Sequence, residues 1–218
     1  MNPIDEFIAP VCHEAIEILY QDEHILLINK PSGLLSLSGK HPANQDSVHF
    51  RLVQDFPSAL LVHRLDFGTS GIMLVALSKE MVRCLNQQFS NREVAKTYTA
   101  KLWGRVEQDY GVIDLPIAKG VFPRQQICME SGKSAVSEYQ VLARYENATK
   151  VLFTPLTGRT HQLRIHSFAI GHPILGCDLY GTQASLDSAS RLLLHASALS
   201  FTHPTTGKPF LIESPCLF

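Results

Sequence analysis

The chain has 218 residues, of which 45% are hydrophobic, so it can bury a sizeable core in one domain or two small lobes, and intrinsic disorder is excluded. No apolar run approaches the roughly 18 to 20 residues that span a bilayer, and the acidic start MNPIDEFIAP lacks the basic beginning of a signal peptide, so a cytoplasmic protein with no membrane partner is expected. The net charge of −1 hides an asymmetry: residues 1 to 29 hold six acids and no Lys or Arg, which leaves nineteen basic and fourteen acidic groups, a net of +5, over residues 30 to 218. Phosphate binding needs only a local basic patch, so a nucleic-acid partner is permitted without being demanded.

Cys12, Cys84, Cys128, Cys177 and Cys216 are odd in number, far apart and form no CxxC pair, which suggests neither disulfides nor structural zinc. There is no HExxH and no His/Cys/Glu cluster at ligand spacing, so neither a metal nor a cofactor is expected.

Along the chain, Ile25 to Asn29 reads as a buried strand running into a Lys30-Pro31-Ser32-Gly33 turn. A polar loop follows to about Gln45, and Ser47 to Asp55 fits a short helix before Pro57. The fully apolar run Gly71 to Leu77 suits a buried strand. Ser78 is placed to cap a helix from Lys79 to about Asn91, whose apolar face is Met81, Val82, Leu85 and Phe89. Ala95 to Trp103 alternates as a strand does, with Lys96, Tyr98, Ala100 and Leu102 on one side. Further strands are predicted at Ser134 to Ala143, Lys150 to Pro155, Leu192 to Phe201 and Pro209 to Glu213. His161 to Ile170 reads as a helix with Gly171 as its C-cap. The balance is α+β, with no internal repeat, linker or domain boundary, so residues 1 to 218 are expected to form a single domain.

The loop His63 to Ser70 sets two charges, Arg64 and Asp66, between apolar segments. Ionisable groups in such a place are enriched at functional sites, although on this loop alone an Asx turn from Asp66 to Gly68 or Thr69 is the commoner reading. Thr157 to His166 gathers Arg159, His161, Arg164 and His166 around a predicted helix start, which is either an anion site or an ordinary cap with solvated arginines. Tyr98 could offer a ring to a base and a hydroxyl to a proton, but tyrosine is also simply a good strand residue.

Six segments in order resemble the RluA family of pseudouridine synthases over nearly the whole chain. They are Asn29-Lys30-Pro31-Ser32-Gly33; His63-Arg64-Leu65-Asp66 with Thr69-Ser70-Gly71; Lys96 with Tyr98 and Ala100; Gly158-Arg159-Thr160-His161-Gln162-Leu163-Arg164; His172-Pro173-Ile174-Leu175-Gly176; and Leu193-Leu194-His195-Ala196. The match is closest to the family's short members, and too few residues precede Lys30 for the S4-like domain of the longer ones. The resemblance implies a mixed, largely antiparallel central sheet in two lobes, with flanking helices and an RNA-binding active-site cleft. It implies Asp66 as catalytic aspartate, Arg164 as its salt-bridge partner, Tyr98 as the tyrosine near the target base, and Leu163 as part of the pocket lining. Arg64, Arg159, His161 and Lys96 are expected to contact the RNA, a stem-loop of 23S rRNA, of tRNA, or both. One departure is visible: where the family usually has Asp after Gly176, this chain has Cys177, with Asp178 one place later.

Isomerising uridine means breaking N1–C1′, turning the uracil and joining C5 to C1′. Asp66 could attack C1′ or abstract a ribose proton to give a glycal. Two other classes compete: a serine hydrolase on Ser70, His63 and Asp66, which has no GxSxG elbow, and an idle RNA-binding factor, which would not need Asp66, Tyr98 and Arg164 together. A monomer is expected.

Overall fold

The hydrophobic run before Lys30 forms the strand that sequence patterning requires. In the computed structural model, which describes residues 7 to 218, β1 (Glu17–Gln21) pairs antiparallel with β2 (Ile25–Lys30), whose Ile25, Leu26, Leu27 and Ile28 are completely buried. Asp22 makes the turn between them, its Oδ1 accepting the amides of His24 and Ile25 at 2.8 Å each. Asp5 and Glu6, part of the acidic N-terminal stretch, lie outside the described residues.

Helix α1 (Val48–Asp55) begins at Ser47, whose hydroxyl accepts from the Phe50 amide, and it stops before Pro57. The two-residue strand β3 (Leu60–Leu61) and β2 both pair with β4 (Ser70–Ala76), every residue of which is buried. That explains an uninterrupted apolar run: a strand covered on both faces has no polar side to alternate with. Helix α2 (Lys79–Ser90) is capped by Ser78 and buries Met81 and Leu85 against this sheet.

Next come β5 (Ala95–Trp103), β6 (Tyr110–Asp114), β7 (Ile117–Lys119), β8 (Gln125–Ile127), β9 (Val136–Arg144) and β10 (Ala148–Pro155). Helices α3 (Gln162–Ala169) and α4 (Gln183–Asp187) follow, then β11 (Leu194–Thr202) and β12 (Pro209–Glu213). The fold is mixed α+β with a large, mostly antiparallel sheet.

The residues divide into two compact units. The first runs to Lys96 and takes back Ala196–Pro215; the second is Thr97–His195 with Cys216–Phe218. The division therefore falls inside two strands, between Lys96 and Thr97 of β5 and between His195 and Ala196 of β11. In the first unit the strand order is β1-β2-β4-β11, with β12 on β11, and the core includes Ile25, Leu27, Ile72, Leu74, Leu85 and Phe201. In the second the order is β5-β10-β9-β6, with the β7–β8 hairpin separate, and α3 joins a core that includes Ala100, Leu102, Val151, Phe153, Leu163 and Ile165. Gly71, beside the Asp66 loop, has φ +114°, and a Cβ there would run into the backbone of Ala196. Only glycine fits that approach.

Candidate active site

In the first unit, Asp66 lies on a half-buried turn whose backbone is held from several directions. Its own carbonyl accepts the Thr69 amide at 3.1 Å. Leu65 exchanges two bonds with Ser36: its amide donates to the Ser36 hydroxyl at 3.2 Å, and that hydroxyl is 2.7 Å from its carbonyl. The Phe67 carbonyl accepts both the Gly33 amide at 3.0 Å and the Lys30 ammonium at 3.2 Å. The Ser32 hydroxyl donates to the Gly68 carbonyl at 2.7 Å. Residues 30 to 36 thus form a cradle for residues 65 to 68.

Lys30 is wholly buried. A buried ammonium needs oxygen around it to offset desolvation, and besides Phe67 it donates to the carbonyls of Pro31 at 2.8 Å and Leu34 at 2.7 Å. It therefore ties its own turn to the Asp66 turn. Sequence reasoning names Lys30 as a landmark but assigns it no role. No residue pattern announces bonds to main-chain carbonyls made by tertiary contact, so Ser32 is likewise only part of that landmark and Ser36 carries no signal.

His63 opens the same loop. Its Nε2 accepts the Leu74 amide at 2.9 Å, and its ring lies 5.1 Å from that of Phe89. Burial, and secondarily the Lys96 ammonium, hold its pKa down to about 3, so the ring is neutral and Nδ1 carries the proton. This argues against the hydrolase alternative: the Nε2 of the would-be base is taken by a main-chain donor, and Ser70 is a buried strand residue. Lys96 is half-buried with Nζ 5.4 Å from the Phe89 ring centroid, and burial lowers its pKa. Arg64 is exposed on the turn itself.

The second unit holds Tyr98, Arg159, His161, Leu163 and Arg164. Tyr98 is half-buried and packs against that unit's core, to which the buried Leu163 belongs. Helix α3, which carries Leu163 and Arg164, is fastened to β9 by a buried polar network. Gln162 Nε2 donates to the Val136 carbonyl at 2.9 Å and the Ser137 hydroxyl at 3.0 Å, while its Oε1 accepts from Thr157 Oγ1 at 2.7 Å and the Arg159 amide at 3.0 Å. His166 spans the Ser137 hydroxyl and the Leu115 carbonyl, both at 2.9 Å, and burial lowers its pKa. Arg159 Nε donates to the Ser134 carbonyl at 3.0 Å.

His161 precedes the helix in the left-handed region, φ +58°, a conformation in which His is enriched among non-glycine residues. Its Nδ1 is 2.9 Å from the Tyr180 hydroxyl, which also accepts the Gln125 amide at 2.6 Å. The Arg164 guanidinium lies over the same Tyr180 ring, Cζ 5.6 Å from the centroid, and is ion-paired to Asp178. His161 and Arg164, three positions apart in sequence, are thus joined through one phenol. Sequence reasoning assigns Tyr180 no role. Among the described residues there is no group of three or more His, Cys, Asp or Glu that could hold a metal ion, and no helix is long and apolar enough to cross a membrane.

Comparison with known proteins gives this arrangement its meaning. The profile of the family described as RNA pseudouridylate synthase matches residues 24 to 169. A Yersinia pestis relative, the dual-specificity RNA pseudouridine synthase RluA, is 52% identical over 195 residues, covering 88% of this chain and 95% of its own. The protein of the same name from Escherichia coli K12 is 46% identical over 204 residues, covering 92% and 93%. Among solved structures, human RNA Pseudouridylate Synthase Domain Containing 1 superposes with a TM-score of 0.81 at 30% identity, over 94% of this chain and 85% of that one. The Asp66 loop, Lys96, Tyr98 and the helix bearing Arg164 all fall within the matched profile. The chain belongs to the RNA pseudouridylate synthase family and is an isomerase acting on uridine in RNA.

Proposed function

We propose that this enzyme isomerises uridines in stem-loops of 23S rRNA and of tRNA, the latter in the anticodon arm, with Asp66 as the catalytic carboxylate and without metal or cofactor. The observation that carries the assignment of Asp66 is the cradle around it: donors from Lys30, Ser32, Gly33 and Ser36 fix the main chain of residues 65 to 68. A carboxylate held on a rigid turn loses little entropy when it meets its target. The dual specificity in the names of the bacterial relatives supports the pair of RNA classes.

In this reading the target uridine leaves its stack, at a cost of a few kcal/mol, so that C1′ reaches Asp66. Either the carboxylate attacks C1′ and displaces uracil as a delocalised anion, or it takes the C2′ proton to give a glycal. The retained uracil turns and C5 bonds to C1′, with the Asp66–C1′ bond breaking in the first route and Asp66 returning its proton to C2′ in the second; C5 then loses its proton and N1 takes one from water. Uracil needs no strong acid to leave, because its negative charge is spread over two carbonyls. Arg164 serves as the salt-bridge partner of Asp66. Tyr98 takes the C5 proton, directly or through water, and offers its ring to the flipped base. Leu163 lines the base pocket, while Arg64, Lys96, Arg159 and His161 bind the RNA backbone. The enzyme acts as a cytoplasmic monomer.

The test is release of tritium from C5-tritiated uridine in unmodified 23S rRNA and tRNA by wild type and Asp66→Asn. Release from both RNAs by wild type alone is expected. Release by the variant at the wild-type rate would remove Asp66 from the mechanism, and release from only one RNA would restrict the specificity.

A further inference from the structure

Arg164 is among the most enclosed charged groups of the second unit, with a side chain only 5% exposed, and three side chains of one loop close around it. Cys177 Sγ lies 3.4 Å from both Nε and Nη2 of the guanidinium. The Asp178 carboxylate pairs with Nη2 while its own side chain is 67% exposed. The Tyr180 ring lies beneath Cζ, and its hydroxyl is anchored by the Gln125 amide and His161 Nδ1. A thiol is a weak acceptor, so of the three the carboxylate supplies the charge-assisted contact that fixes the fork, and the ring fixes its plane.

We propose that Asp178 is a positioning residue for Arg164: it orients the guanidinium from the solvent side while Tyr180 sets its plane and Cys177 fills the space along its edge. This rests on the reading of Arg164 given above. The geometry also implies a compensating arrangement. Because Sγ is equidistant from Nε and Nη2, a carboxylate carried by residue 177 would present its two oxygens to that same edge and pair with it bidentately. Residues 177 and 178 are then alternative places from which one acid can hold the same arginine, and the chain uses the outer one.

The experiment compares wild type with Asp178→Asn, Cys177→Asp/Asp178→Asn and Arg164→Gln, measuring kcat and KM for C5 tritium release on a tRNA anticodon stem-loop, RNA affinity by filter binding, and melting temperature. Asp178→Asn is expected to lower kcat about tenfold, with KM and affinity within twofold of wild type. The double variant is expected to recover most of that loss. A purely structural role would lower the melting temperature in proportion and would not be reversed by moving the acid one residue. Wild-type kcat in Asp178→Asn, or a folded double variant no faster than Asp178→Asn, overturns the inference while leaving Arg164 in place if Arg164→Gln is inactive. Full activity in Arg164→Gln would overturn the reading of the arginine itself, and the inference with it.

Discussion

The ammonium of Lys30 and the carbonyl of Phe67 are 3.2 Å apart, joining residues thirty-seven positions distant and fixing the main chain one residue beyond Asp66. Lys30→Met keeps the stem and removes the charge, so the carbonyls of Pro31 and Leu34 lose a donor. An unmet buried acceptor costs about 1 to 3 kcal/mol. A loss of about 2 to 4 kcal/mol in urea-unfolding stability is expected, together with a fall in kcat larger than any rise in KM. Stability within 0.5 kcal/mol of wild type would show that the ammonium does not hold the turn.

Gly71→Ala tests the close approach to Ala196. The positive φ strains any L-residue, and the new methyl group meets main chain, which cannot swing aside as a side-chain tip does. Destabilisation of at least about 3 kcal/mol is expected, in the range where core overpacking and backbone strain add. A melting temperature unchanged from wild type would mean that the two strands separate easily.

The acid side of the stability curve should carry the mark of His63 and His166. Both have folded pKa values below the ordinary histidine range because burial disfavours their charged forms, His63 at about 3. The unfolded chain, titrating near 6.5, binds these protons first as pH falls. Their contribution is therefore complete above pH 6.5 and is lost as pH falls through each folded pKa, down toward 3 for His63, with a slope up to about 1.4 kcal/mol per pH unit for each proton. His63→Gln is expected to flatten the slope by up to one proton between pH 6 and 4, read from urea midpoints across that interval. A slope identical to wild type would show that His63 is protonated in the folded state.

Arg64 is exposed on the Asp66 turn. Arg64→Ala is expected to weaken stem-loop binding about three- to tenfold and to reduce the slope of log K against log salt by about 0.7, the value for one phosphate contact on a single strand. Unchanged affinity at two salt concentrations would remove Arg64 from the RNA contacts.

The elements legible in the sequence are those whose local chemistry and burial agree. Ser78 caps the helix it is expected to cap, the short helix expected over Ser47 to Asp55 forms with Ser47 as its cap, and the run into Ala76 is strand because it is buried on both faces. Strand β6 escapes because tertiary pairing, not pattern, makes it: Tyr110 and Val112 are exposed, and Gly111 is there because the Tyr139 ring lies against its Cα. Three-residue strands such as β7 and β8 are too short to show a period. Helix α3 is legible, read as His161 to Ile170 with Gly171 as its C-cap, even though every residue from Gln162 to Ser167 is buried. Of the candidate site, Asp66, Tyr98 and Arg164 are proposed through family likeness. The cradle is not, since main-chain carbonyls look alike in every sequence, and neither is the arginine cage, whose Cys177, Asp178 and Tyr180 side chains reach Arg164 only through tertiary folding.

The Lys30 cage has a use beyond rigidity. An amine with no solvent exposure is out of reach of acylating reagents for as long as its three carbonyls enclose it. Its rate of modification by a small ester, followed by mass spectrometry on the folded enzyme, is then a clock for local opening. A bound stem-loop that steadies the Asp66 turn would slow that clock, and the slowing would measure, in free-energy units, how much the RNA tightens the ground beneath the carboxylate.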